Sequence, residues 1–253
     1  MRRRILYLGT ILILFGLLVG VPLMYKFLTI PETCDDGKQN QGETAPDRGG
    51  PCLLLDERFL SPYGVLWART FKVREGYYNA VAYIENPNEG AGVSEVNYRF
   101  RLFDDKNVLV ADQSGKTFVM PGGVTPVFSA AIPTGNRAAL RAFFNFTSPL
   151  SWRKASDTAK AIIISNKKME DAAGSPRLSA DVENTTVAPM RELSFVASIF
   201  DPQGNSFASS ATVVPYLGPG QKTQIVFTWP HAFPMQVGRI DVIARVPPAF
   251  INR

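Results

Sequence analysis

The hydrophobic positions divide the chain into three regimes. The first is a continuous apolar run from Ile5 to Tyr25 with no charged residue. A helix over that run spans about 31 Å, close to the hydrocarbon thickness of a bilayer. The second, residues 31–52 (PETCDDGKQNQGETAPDRGGPC), has almost no aliphatic side chain and cannot pack a core. In the third, apolar and polar positions follow the period of β-strands over Val65–Val73, Tyr78–Ile84 and Val96–Phe103. Further strands are expected at Ala161–Ser165, Leu178–Val182, Leu193–Phe200, Ala211–Tyr216 and Thr223–Trp229. Turn residues separate them at Asn86–Gly90, Asp104–Asn107, Pro121–Gly123, Pro202–Asn205 and Gly218–Gly220. Asn166–Ser175 reads as a polar hairpin or loop.

The strand region repeats itself. Residues 65–154 and 160–253 align at an offset of about 98 residues. Asn79–Asn86 falls on Arg177–Asn184, Phe100–Asp104 on Ala197–Asp201, and Pro121-Gly122 on Pro219-Gly220. Short strands with frequent turns predict an all-β fold: two tandem immunoglobulin-like β-sandwiches preceded by one transmembrane helix. The boundaries follow: residues 1–30 the anchor, 31–57 a Cys-bounded loop and linker, 58–156 the first sandwich and 157–253 the second. Neither sandwich contains Cys, so neither carries an inter-sheet disulfide. The short join at residues 152–165 predicts that the sandwiches touch and form a semi-rigid rod.

Each unit resembles the FxLYD domain of bacterial extracytoplasmic proteins. Phe100-Arg101-Leu102-Phe103-Asp104 carries the resemblance in the first unit, and Ala197-Ser198-Ile199-Phe200-Asp201 carries it more loosely in the second. Asn86 and Asn184 stand where that family has Asn after its second strand. The resemblance implies a secreted or anchored sandwich without known catalysis. The residues also have structural readings of their own. Phe100, Leu102 and their equivalents face a core on alternate positions. Asp104 and Asp201 cap the turn that follows Phe103 and Phe200.

The loop has chemistry of its own. Two Cys in an extracytoplasmic chain pair, and a Cys34–Cys52 bridge closes a loop worth about 3 kcal/mol in the chain-entropy model. The stretch resembles a Cys-x-Asp-Gly-x-x-Asn-x-Gly-Glu motif of secreted and surface proteins, ending in Gly-Gly-x-Cys. It matches at Cys34, Asp36, Gly37, Asn40, Gly42, Glu43, Asp47, Gly49, Gly50 and Cys52, with Arg48 where that motif has a Cys. Asp36, Asn40, Glu43 and Asp47 offer oxygen ligands for Ca²⁺, which takes six to eight. The alternative is a solvated loop with its carboxylates facing water. No other cofactor is expected.

Composition and charge narrow the function. The net charge is +5, but Arg2, Arg3, Arg4 and Lys26 supply four of the 27 basic residues, against 22 acidic ones that all lie beyond residue 30. The rest is nearly neutral, so no nucleic-acid partner is expected. Three arginines before the helix place the N-terminus in the cytoplasm and residues from about 30 onward outside. A cleaved signal peptide is the competing reading, but it calls for a shorter apolar core and a small-x-small cleavage site. Gly16 and Gly20 have the spacing of a helix–helix contact, which would make a homodimer.

His231 is the only imidazole. A Ser-His-Asp or Cys-His device would have to use it, and it reads as an ordinary loop residue. Tyr77, Tyr78, Trp67, Trp229 and Phe233 are candidates for a binding face, although strand aromatics are more often core. The expectation is a non-catalytic, membrane-anchored binding or scaffold protein of the cell envelope, its partner another envelope protein or a glycan. The alternatives are a carboxylate-based hydrolase or its accessory subunit, and a passive spacer.

Overall fold

The structure, a computed structural model, describes residues 2–28 and 34–251, with side chains from 7–26 and 34–251. The Arg2, Arg3 and Arg4 side chains and linker residues Pro31, Glu32 and Thr33 lie outside the described residues. The chain divides into two units, Met1–Cys52 and Leu53–Arg253.

The first unit opens with helix α1, Arg2–Leu28, with Pro22 near its C-terminal end. The segment Tyr7–Lys26 is long and apolar enough to cross a membrane, and none of it is buried by the described residues. Its side chains are exposed, Leu18 at 75%. An all-round apolar helix exposed in this way fits a lipid environment. The unit closes with the Cys-bounded loop, held by a disulfide between Cys34 and Cys52.

The second unit is built of antiparallel strands. They are β1 Gly64–Arg74, β2 Tyr77–Asn86, β3 Ala91–Phe103, β4 Leu109–Val119, β5 Gly123–Pro133, β6 Arg141–Phe146 and β7 Arg153–Ser156. The chain continues through β8 Ile162–Glu170, β9 Arg177–Asn184, β10 Met190–Phe200, β11 Ser206–Leu217, β12 Lys222–Thr228, β13 Arg239–Arg245 and β14 Ala249–Phe250. One sheet runs β1-β2-β5, and a second runs β14-β7-β3-β4 with β6 also paired to β3. Their facing sides hold Tyr78, Ala80, Ala82 and Ile84 of β2 against Phe100 and Leu102 of β3 and Phe144 of β6. The sheets β8-β9-β12 and β11-β10-β13 enclose another core around Leu178, Val182, Phe195, Ile199 and Phe227.

Strands β2 and β10 are buried on both faces over Ala80–Ile84 and Phe195–Phe200. Val81 and Tyr83 point away from the first core, and Val196 and Phe200 point away from the second. These four meet in one cluster with Phe71, flanked by Trp67, Phe128 and Ile243. The sandwiches therefore pack broadside, sheet on sheet, and not as the expected rod. The signal was the run Ala80–Ile84, where polar positions are missing: a strand buried on both faces loses its alternation. Hydrogen bonds cross the same interface. Arg69 donates from Nη1 to Ser206 O at 2.9 Å, and Arg245 from Nη2 to Thr117 Oγ1 at 2.9 Å.

Two expectations resolve locally. Of the hairpin and the loop expected over Asn166–Ser175, the hairpin forms: strand β8 continues to Glu170 through a register shift between Ser165 and Lys168 and turns into β9. Asn166 adopts φ 51°, which lets the strand bulge there and resume pairing. Residues 53–55, expected in the linker, run beside β7: Lys154 N donates to Leu53 O and Leu55 N to Trp152 O, each at 2.8 Å. The chain end also returns to the first sandwich, where Phe250 of β14 pairs with Ala155 of β7.

Candidate functional site

The motif residues hold turns and cores. Phe100 and Leu102 are fully buried, while Asp104 Oδ1 accepts from Lys106 N at 3.0 Å and Val108 N at 2.8 Å. Asp201 Oδ1 accepts from Asn205 N at 2.7 Å. That backbone N–H holds the Asp201 carboxyl below its ordinary value, with the Asn205 side chain adding to it. Phe103 faces outward and meets Phe143 edge to face at 5.4 Å. Phe200 also leaves its own core but is buried against the other sandwich, its ring beneath the Arg239 guanidinium at 4.1 Å. Asn86 Nδ2 donates to Ala91 O and Met120 O, both at 2.8 Å. Asn184 Nδ2 reaches Ala188 O, Leu217 O and Gly218 O. Both amides tie the end of one strand to the start of another.

The four candidate calcium ligands are engaged with their own loop. Asp47 accepts from Asp36 N at 3.0 Å and from Gly37 N at 2.9 Å. Asp36 accepts from Lys38 N and from Asn40 Nδ2. Glu43 is buried, and its Oε2 accepts from Asn40 N at 3.1 Å and Asp47 N at 3.3 Å. Cys34, Glu43 and Cys52 also present atoms within 4.8 Å of one another, but the two sulfurs are bonded to each other and are not thiolates. The glycines of the motif have a steric reason. Gly49 has φ 72°, and a Cβ there would overlap Thr44 Oγ1.

A groove that the sequence did not reveal runs along β1. Its middle is a cleft of about 330 Å³ between the sandwiches, lined by Phe71 and Lys72 of β1 and by Phe207, Trp229, His231 and Phe233 of the second sandwich. At one end the cleft opens onto Arg74, Glu75 and Tyr77, with Lys72 and His231 common to both parts. At the other it continues past Ala68–Phe71 to Leu140, Phe143 and Met235. Every residue of β1 from Ala68 to Arg74 lines some part of it.

Strand β1 is the last strand of its sheet and pairs only with β2. Its other edge faces the groove, clamped on either side. Thr70 Oγ1 donates to Ala139 O at 2.8 Å, and Arg69 binds Ser206 O across the sandwich boundary. Of the aromatic residues singled out from the sequence, Trp67 and Tyr78 are packed, whereas Tyr77, Trp229 and Phe233 line the groove. His231 is exposed at the junction of two of its parts. Lys72 pairs with Glu75, and the Arg74 guanidinium lies over the Tyr77 ring at 4.2 Å.

Among the described residues, every carboxylate with a resolved shift is lowered. Arg99 does this to Asp112, Lys168 to Glu170, and the Asn166 amide to Asp181. None of these lines the groove.

No protein-family model matches the chain, and no curated protein matches its sequence. Among solved structures it is similar to red sea bream transglutaminase at TM-score 0.25 and 9% identity, over 74% of this chain and 30% of that one. A likeness that slight carries no argument about activity.

Proposed function

We propose that this chain is a membrane-anchored, extracytoplasmic binding protein of the cell envelope that acts through its β-sandwiches without catalysis. The observation that carries the reading is the bare apolar helix Tyr7–Lys26 followed by a disulfide-closed loop. The helix suits a bilayer, and a disulfide persists in an oxidising compartment. Arg2, Arg3 and Arg4 before the helix support a cytoplasmic N-terminus. We read both sandwiches as FxLYD-type. Support comes from the like bonding of Asn86 and Asn184 and the like capping by Asp104 and Asp201.

The test is crosslinking of the full-length protein in its native membrane, followed by mass spectrometry. One protein or glycan recovered in near-equal amount supports binding. A protein that crosslinks only to itself, or to nothing, is a spacer, and the binding reading fails.

A further inference from the structure

The groove along β1 combines three features: an unpaired strand edge, two apolar walls and one basic end. An edge strand offers a row of backbone N–H and C=O groups to any extended chain that reaches it. Here the edge makes no strand pairing, although β6 and β11 run close beside it, and Lys72 and Arg74 stand exposed along it. Ala68–Arg74 gives about 23 Å of edge at about 3.3 Å per residue.

A strand added beside β1 would send alternate side chains toward the two sandwiches. On the side of the first sandwich it would meet Leu140 and Phe143, exposed at 60% and 54%. On the other it would meet Phe207 and Pro234. Both faces of such a strand would therefore be apolar. The rings of this wall already pack edge to face, Phe207 on Phe233 at 5.3 Å and Trp229 on Phe233 at 5.2 Å. That relief suits side chains better than the flat stacking of a sugar. At the basic end, Glu75 takes the charge of Lys72, while no ion pair is formed by Arg74 among the described residues. Arg74 leaves that end complementary to an acidic group.

We propose that the groove binds an extended peptide segment of a partner protein as an added strand on the free edge of β1. The segment is about seven residues long, apolar on both faces, and acidic at the end that meets Arg74. This mode takes affinity from main-chain hydrogen bonds and specificity from the side-chain walls. The inference rests on the binding reading above and gives it a site and a ligand class.

The experiment selects a displayed library of random peptides on the full-length protein in nanodiscs, then follows amide exchange of the protein with and without an enriched peptide. The expected result is enrichment of apolar peptides with one acidic end, and exchange at least tenfold slower for amides in 68–74. Arg74→Glu and Phe143→Ser should each weaken binding at least tenfold, while Val187→Ser, on a fully exposed loop, should not. Leu140→Ser, at an exposed position on the wall, replaces any variant that fails to fold. Peptides that protect another surface, or that leave β1 unprotected, overturn the inference. So does a dimer that protects 68–74 without peptide. If no peptide is enriched but membrane crosslinking recovers a partner through another face, the groove is wrong and the binding reading survives. If neither yields a ligand, both fall.

Discussion

Phe103 and Phe200 each stand just before a capping aspartate, and each points away from its own core. Their surroundings differ, so truncation should separate them. Phe200 is 2% exposed and packs with Trp67 at 6.1 Å, under the Arg239 guanidinium and beside Val81 and Tyr83. Removing a buried Phe ring costs about 3–5 kcal/mol, most of it lost transfer energy plus a residual cavity. Phe103 loses mainly one edge-to-face contact with Phe143, worth about 1 kcal/mol. The larger loss falls on the interface cluster, which has five buried members among the described residues. Phe200→Ala should therefore separate the unfolding of the two sandwiches, leaving each core intact.

Urea unfolding followed by tryptophan fluorescence reads this directly. Trp67 flanks the interface, Trp152 lies in the first sandwich and Trp229 in the second. The native protein should unfold in one transition. In Phe200→Ala the Trp67 signal should change at lower urea than the other two, while Phe103→Ala keeps one transition with a small midpoint shift. Equal midpoints for the two variants, or coincident signals in Phe200→Ala, would refute the broadside packing.

Other outcomes follow from single side chains. Asn184→Ala strands three backbone carbonyls and should cost about 2–4 kcal/mol, measured by thermal unfolding; a loss under about 0.5 kcal/mol would mean that water replaces the amide. Burial pushes the Tyr83 hydroxyl, which lies beside Ser198 without hydrogen-bond geometry, up to about 12 from 10.0. Both states keep that proton below pH 10, and between 10 and 12 only the unfolded chain loses it. Stability should therefore fall by up to about 2.7 kcal/mol over that window. Tyr83→Phe should flatten that fall, and an unchanged slope would remove Tyr83 as its cause. Because Asp36, Glu43 and Asp47 accept backbone N–H groups, amide protection in 34–52 should survive EDTA and collapse on reduction of Cys34–Cys52. Loss of protection in EDTA alone would restore a structural metal to the loop.

Much of this architecture is legible in local pattern. Period-two stretches mark the strands, Asp104 and Asp201 mark turns, and the uncharged run marks the helix. What the pattern hid is long-range. Ala80–Ile84 records burial on both faces without saying what covers the second one. The groove depends on the edge position of β1 and on a loop, Trp229–Met235, that is more than 150 residues away in sequence. His231 looked ordinary because its neighbours in the groove, Lys72 and Arg74, come from the other sandwich.

In the topology we propose, one helix crosses the membrane and leaves both sandwiches outside. Labelling with a membrane-impermeant maleimide tests it, since Cys34 and Cys52 are bonded to each other and no other cysteine is present. With Ser114→Cys, on an exposed strand position, intact cells should be labelled; with Arg3→Cys, labelling should appear only after lysis. The reverse pattern would place the sandwiches in the cytoplasm and contradict the account.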